Sequence, residues 1–575
     1  MLRGKKPAIA AAMVSVLAVA ACGSSGGGGG SGSGGGGGGK GSVDIVKLSD
    51  TPQDTRTGKA GGDFRLGIAE PTAIDPYNSQ ESEGQLVTKN IFDTLVTSDV
   101  KGNVQKLLAQ DYSSNANCTD WTFILKPNQK FSNGEPVDAE SIKREMIRAS
   151  LGVAASAVAY HMAGVKGFDA LQNSKETDPS KVDFTGVTAT GNTLKIALTA
   201  PDCEFPLKTA QPVFSPVPPE AGSPTNTKYN DDPIGNGPFM MAGPWQHDKS
   251  ITLVRNPNYT DGPKALLDKV SITIYDSTDS SYEYKAFTNG DFDYARIFPA
   301  DLQATANKYY SSDTAKNQFI KENTFGINYL IPDVTTKPLD SVAAREAISY
   351  SIDRDAIIKG VLKDSDTKAT SIVPPPFQTQ GTYQPGICAS CVKQDPAKAK
   401  AAAKKAGLPA GTKVNLYYNT GAGHEGWIQA VAGEVEQVLG WKVNIVPLQF
   451  KTLLKNENLP GATGLWRSAW GADYPTSWDF LYPLLGTQPA DNPGQNSGRY
   501  SNKQFDSLLA QGQAEHDPKK RADLYKQAEK VAIGQDLALI PLWYRTQFRV
   551  FSNKFVGVNL DFFENPSLAT IGLAS

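Results

Sequence analysis

At 575 residues, 39% hydrophobic and 20% charged, the chain has a globular composition and is long enough for several lobes rather than one core. A formal net charge of -2 lacks the basic excess of an ordinary nucleic-acid binder, so no nucleic-acid partner is expected. Small solutes, sugars and peptides are left open.

The N-terminus reads as an export signal. Arg3, Lys5 and Lys6 make a positive start, Ala8 to Ala20 is a short apolar run, and Val19-Ala20-Ala21-Cys22-Gly23 closes it with small residues. The run is too short for an ordinary membrane span. It resembles a bacterial lipobox, in which cleavage after residue 21 leaves Cys22 as the lipidated first residue. Two acyl chains suffice for stable anchoring, which places the protein extracytoplasmically, on the outer face of the cytoplasmic membrane. Residues 22–61, Gly/Ser-rich and then polar, read as a flexible tether of roughly 35 Å, so the folded body is expected to open at Gly62.

Phe64, Leu66 and Ile68 alternate as in a half-buried strand, and Val87, Ile91 and Leu95 recur every four residues as in a helix. A strand Trp121–Leu125, a turn at Ser132-Asn133-Gly134 and a helix capped by Asp138 follow. Val187 to Leu198 folds as a hairpin about Gly191-Asn192, making this region α+β. Further on, Val414–Tyr418, Trp427–Leu439 and Val443–Val446 read as a βαβ unit. A helix over Pro518–Ile533 starts at the cap Asp517, and its Tyr525, Ala528 and Val531 stripe suits a core.

Apart from Cys22, the cysteines are Cys118, Cys203, Cys388 and Cys391, an even number in a compartment that permits disulfides. If the strands beside Cys118 and Cys203 are neighbours, those two pair, and Cys388 and Cys391 close a small surface loop. Neither the cysteines nor the four histidines form a metal motif, so no metal and no cofactor are expected.

Trp470-Gly471-Ala472-Asp473-Tyr474-Pro475-Thr476-Ser477-Trp478-Asp479 crowds aromatics and carboxylates around one proline. Aromatic faces give broad, rigid contact and a carboxylate among them can hold an ammonium group. The same residues also suit a turn ahead of a short helix from Trp478 to Leu485.

Several separated motifs fall in one order. They are Glu70-Pro71 with Asp75-Pro76, Lys130 to Glu140, Gly235-Asn236-Gly237-Pro238-Phe239, Arg255-Asn256-Pro257-Asn258-Tyr259, Ala347 to Arg354, and Trp470 to Pro475. Together they resemble the oligopeptide-binding proteins of bacterial ABC importers, in the peptide and nickel group of extracytoplasmic solute-binding proteins. The resemblance implies an α/β protein with an α+β subdomain, of the two-lobe periplasmic-binding-protein-like fold (type II, peptide-binding cluster), with an extra small domain on lobe one. By analogy, 62–92, 214–323 and 546–575 build the first lobe, 93–213 the added domain and 324–545 the second lobe. The protein would be a monomer that captures a peptide between its lobes and delivers it to permease subunits.

The resemblance also assigns site residues. Asp473 matches the family aspartate that holds the peptide's amino group, and Trp470, Tyr474 and Arg467 lie at or beside family pocket positions. His424 matches a histidine that meets the carboxyl end of some ligands, and Tyr160 an aromatic from the added domain. Arg467 equally suits a structural ion pair, His424 a solvated loop, and Trp543 and Tyr544 either the cleft or the core. The chain departs from the family at Lys455-Asn456-Glu457-Asn458, where one member has a second arginine. It departs again at Gln80, where an acidic residue is expected, and at the offset Lys363. The rival readings are the same binding fold for a sugar, a metal chelate or a signalling peptide, and an extracytoplasmic hydrolase using Asp473 with Asp479.

Overall fold

The structure, a computed structural model, describes residues 42–262, 264–276, 279–310, 316–459, 463–487 and 495–575. The export signal, Cys22 and the tether up to residue 41 lie outside the described residues.

The body opens earlier than Gly62. Ile45 and Leu48 are buried against Leu302, Ala306, Tyr309 and Phe548, and Asp50 pairs with Lys321 at 2.7 Å. Lys59 bridges to Leu573. Residues 43–61 are therefore docked rather than a free tether, because this polar stretch carries apolar side chains that complete a small core.

Three sheets carry the architecture. In the first, Asp63–Ile68 pairs in parallel with Lys269–Ile274, which continues antiparallel to Ser250–Arg255 and Phe239–Met241. The second is antiparallel, in the order Ala109–Ser114, Asp120–Leu125, Thr193–Ala197, Val187–Thr190. Since Asp120–Leu125 and Thr193–Ala197 are neighbours, the ends beside them meet, and Cys118 and Cys203 are joined by a disulfide. The third runs Tyr294–Arg296, Ile540–Phe551, Phe319–Pro332, Leu465–Gly471, Lys413–Asn419, Lys442–Leu448, with Thr367–Lys368 beside Ile540–Phe551. Its last two strands are parallel and joined by the helix Glu425–Leu439, a βαβ unit.

Each sheet has its own apolar core. Two long strands, Phe319–Pro332 and Ile540–Phe551, pass from one core to another. Phe319, Phe548 and Val550 pack in the core that receives Ile45, whereas Phe325 to Ile331 and Ile540 to Tyr544 pack in the largest core. The changeover falls between Ile320 and Phe325 on one strand and between Tyr544 and Phe548 on the other. The antiparallel domain is fixed to the first sheet's core by Arg148, fully buried, which meets Asp75 at 2.8 Å and Glu145 at 2.5 Å.

Local signals worked where the chemistry is local. Asp138 accepts from the Ser141 N–H at 2.9 Å in a reciprocal capping box ahead of the helix Ala139–Ser150. The earlier helix, Ser82–Ile91, stops short of Leu95. Backbone of the Gly235–Gly237 segment packs directly on Ile91 and Phe92, where a side chain on Gly235 would collide with the Ile91 carbonyl, and Asn236 accepts from the Asp93 N–H. The helix begun at Pro518 is α-helical to Glu529 and π-wound from Lys530 to Gln535. Cys388 and Cys391 are not in a surface loop: each is 1% exposed, and they flank a helical turn in the largest core, because Ser349 and Arg354 pack over them.

Candidate ligand-binding site

The strand Leu465–Gly471 forms the floor. It pairs with Phe319–Pro332 so that Gly471 faces Gly326, Ala469 faces Asn328 and Arg467 faces Leu330. Strand alternation puts Arg467, Ala469 and Gly471 on one side and Trp466, Ser468 and Trp470 on the other. Beyond Gly471 the chain turns into the helix Trp478–Leu485, and the fully buried Asp479 on that helix clamps the turn. Its Oδ2 accepts from the Asp473 N–H at 2.8 Å and from Trp470 Nε1 at 3.2 Å. Burial and the nearby Asp473 charge push the Asp479 carboxyl well above its usual range, against the two hydrogen bonds it accepts.

Asp473 is met by side chains of the antiparallel domain across the floor. Its Oδ2 accepts from the Tyr160 hydroxyl at 2.6 Å and lies 3.6 Å from His161 Nε2, both from the antiparallel domain. Its carbonyl accepts from Gln211 Nε2 at 2.5 Å. Lys89, on the helix Ser82–Ile91, donates to the Ala210 carbonyl at 2.8 Å and sits 3.6 Å over the Phe563 ring. Burial pushes that ammonium down to about 8, against the opposing pull of Asp561 and Asp473. Burial raises Asp473 itself to about 6, with Tyr160 and Lys89 holding it from rising further. His161, buried beside Lys208 and Lys89, is pushed well below its usual range and stays neutral.

The surroundings hold polar atoms with no hydrogen-bond partner among the described residues: both ring nitrogens of His161, Gln211 Oε1, Tyr474 Oη, Ser477 Oγ, Trp478 Nε1 and Asp479 Oδ1. Buried groups of this kind are ordinarily satisfied by water or a guest. Tyr474 is fully buried, its ring 5.8 Å from that of His161, and thus lies beneath the floor. Trp543 and Tyr544 are core: Trp543 packs edge-on against Trp427 and the Tyr544 hydroxyl donates to the Ser371 carbonyl.

At the far end of the floor, Arg467 makes no ion pair among the described residues. Nη1 donates to Asn419 at 3.1 Å and Nη2 to Asn328 at 3.4 Å, and Nε is buried without a partner. Burial and the neighbouring Arg545 charge bring this guanidinium down to about 9, opposed by Glu457. His424 is half-buried rather than freely solvated. Its Nδ1 accepts from Trp427 Nε1 at 3.2 Å, which leaves the proton on Nε2. Burial, with the Arg467 and Arg545 charges, keeps the ring neutral. Lys363 turns away and donates to the Gly360 carbonyl.

One end of the floor thus offers a buried carboxylate and the other a guanidinium with a neutral imidazole. Residues 103–492, about two thirds of the chain, match the family described as bacterial extracellular solute-binding proteins, family 5 Middle. The chain belongs to the family 5 extracellular solute-binding proteins. It is 27% identical over 500 residues to the oligopeptide-binding protein OppA of Bacillus subtilis, covering 85% of this chain and 88% of the relative. It is 28% identical over 485 residues to a probable deoxycholate-binding periplasmic protein, YgiS, of Escherichia coli, covering 83% and 86%. Its fold superposes on the murein tripeptide binding protein MppA of Escherichia coli with a TM-score of 0.77 at 26% identity, covering 90% of this chain and 100% of that one. The fold is therefore the two-lobe, mixed α/β fold of solute-binding proteins, with an added small domain.

The sequence singled out Asp473, Trp470, Arg467, Tyr474, His424 and Tyr160; the structure joins Tyr160 to Asp473, puts Arg467 on one side of the strand Leu465–Gly471 and His424 within reach of its charge, and turns Trp470 to the other side, onto Asp479. Sequence reasoning missed Lys89, His161 and Gln211. His161 adjoins Tyr160, which was its one available signal; Lys89 and Gln211 come from segments whose approach only the fold determines.

Proposed function

We propose that the protein is the substrate-binding component of an ABC importer, taking up peptides between its lobes and handing them to permease subunits. The observation that carries this reading is the position of Asp473. A carboxylate enclosed by Tyr160, His161 and Lys89, at the end of a half-buried strand floor, suits a ligand's ammonium end; the floor suits an extended backbone. Arg467 and His424 would line the remainder, with His424 Nε2 and Arg467 facing the carboxyl end, while Trp470, on the other side of the strand, holds Asp479. Tyr474 supports the floor from below.

The two long strands supply a hinge for closure. The core changeover near Asn323 and Arg545 supports boundaries at 323/324 and 545/546, so that the lobes turn about two strands rather than a floppy linker. Cys22 would carry the lipid anchor on the outer face of the cytoplasmic membrane. The body acts as a monomer. Asp479, engaged by the Asp473 N–H and Trp470, serves the floor rather than hydrolysis.

A second reading, the same fold for an apolar carboxylate solute, is favoured by the likeness to a probable deoxycholate-binding protein. Native mass spectrometry of what the purified protein carries separates the two: a ladder of short peptides is expected, and a single non-peptide solute would overturn the peptide reading. Asp473→Asn should weaken a free-amino peptide about 10- to 100-fold and spare its N-acetylated form. Equal loss for both removes the ammonium-pairing role.

A further inference from the structure

Apart from the ligand floor, one carboxylate of the antiparallel domain reaches across to the elements of the largest core. Glu204 follows Cys203, which the disulfide ties to Cys118, and precedes Phe205, which is buried in the antiparallel domain's own core with Val213 and Phe214. Glu204 Oε2 accepts from the Tyr525 hydroxyl at 2.7 Å and from the Thr476 hydroxyl at 3.1 Å, and Oε1 lies 3.3 Å from Arg521 Nη1. The Glu204 side chain is 12% exposed and that of Arg521 17%.

Tyr525 is buried in the largest core, and Arg521 lies one turn earlier on the same helix, Pro518–Glu529. Arg521 is held in place because its Nε and Nη2 donate to the Glu515 carbonyl at 3.0 and 2.8 Å. Thr476 sits in the turn between Asp473 and the helix Trp478–Leu485, where its hydroxyl also accepts from the Trp478 N–H at 3.3 Å. One carboxylate thus grips both that helix and the turn that carries Asp473. Neighbouring residues cross in the same way. The Cys203 N–H donates to the Gln513 carbonyl at 2.8 Å, Gln513 Nε2 donates to Asp202 at 3.3 Å, and His516 Nε2 lies 3.0 Å from the Ala116 carbonyl. Lys208, paired with Asp202 at 2.6 Å, sits 3.8 Å over the Trp478 ring. Arg148 fastens the antiparallel domain to the first sheet's core, so a turn of the lobes about the two long strands has to part these crossings.

We propose that Glu204 is a positioning residue that latches the antiparallel domain onto the second lobe, so that this added domain governs how long a captured ligand is held. The inference rests on the two-lobe peptide-binding reading above. A carboxylate that accepts from several donors holds more strongly than neutral hydrogen bonds do, and all of its bonds are exchanged for water when the lobes part. Because these bonds are made within the protein, they favour the shut arrangement with or without ligand. The latch therefore adds the same increment to every ligand, setting residence time and not selectivity.

Stopped-flow release of trialanine and hexaalanine, followed by tryptophan fluorescence, tests this on the native protein, Glu204→Ala, Tyr525→Phe and the double variant. Small-angle X-ray scattering of each protein without peptide accompanies it. Glu204→Ala should speed release of both peptides by one common factor, about 10- to 100-fold, and should enlarge the peptide-free radius of gyration over that of the native protein. Tyr525→Phe should speed release by about 3- to 10-fold. The double variant should release no more than about twofold faster than Glu204→Ala alone, since both changes cut the same bond. A merely structural role for Glu204 would lower the thermal midpoint and leave release and radius as they were. Unchanged release, an unchanged radius, factors that differ between the two peptides, or additive effects in the double variant overturns the proposal. Tyr525→Phe decides it where Glu204→Ala fails to fold. If neither peptide binds the native protein, the peptide reading fails, and the scattering comparison by itself decides for or against the latch.

Discussion

Acidification should loosen any ligand whose ammonium group sits on Asp473. Burial, moderated by the Tyr160 hydrogen bond and the Lys89 charge, lifts this carboxyl from 3.8 to about 6. An ammonium group pairs with the ionised form only, so the apparent association constant follows the ionised fraction, which is full above the raised value and lost as pH falls through it. Between pH ~7.5 and pH ~5 that fraction drops from about 0.97 to about 0.09, a loss of about tenfold or ~1.4 kcal/mol. The facing groups do not mimic this. Tyr160 is pushed well above its usual value and His161 well below, so both stay neutral, and Asp479 is likewise pushed well above the usual carboxylate range. Lys89, at about 8, stays mostly cationic over the window. Asp561, also raised to about 6 by burial, acts on Asp473 through Lys89, so Asp561→Asn serves as the control. Calorimetry at three pH values with a free-amino peptide and its N-acetyl form reads the effect. A flat profile for the free amine, or the same tenfold loss for both, refutes the reasoning.

Tyr160→Phe removes a donor to the Asp473 carboxylate and should move the midpoint of that pH profile upward, while weakening binding at neutral pH by roughly 0.5–1.5 kcal/mol; an unmoved midpoint means the hydroxyl does not govern Asp473. Arg148→Met leaves Asp75 and Glu145 buried without their cation and should lower stability by about 3–5 kcal/mol, read as the urea midpoint, with a shift under about 1 kcal/mol counting against it. Replacing Cys118 and Cys203 by serine frees a loop with a sequence separation of 85 and should cost about 2–4 kcal/mol, read by thermal denaturation against the native protein with its disulfide intact.

The sequence by itself determined what depends on neighbours along the chain. Asp138 with Ser141 made a capping box because the partners are three residues apart, and the pattern from Val414 to Val446 made a βαβ unit because its periodicities are local. The ordered motifs carried the family, and through it Asp473, Trp470, Arg467, His424 and Tyr160. Tertiary structure decided what depends on approach from a distance. Leu95 left its helix because Gly235 and Gly237 press on the end of it, and residues 43–61 docked because a core 250 residues away had room for Ile45 and Leu48. The electrostatics of Asp473 are set by Lys89 and Tyr160, 384 and 313 residues earlier, and no local pattern encodes their convergence.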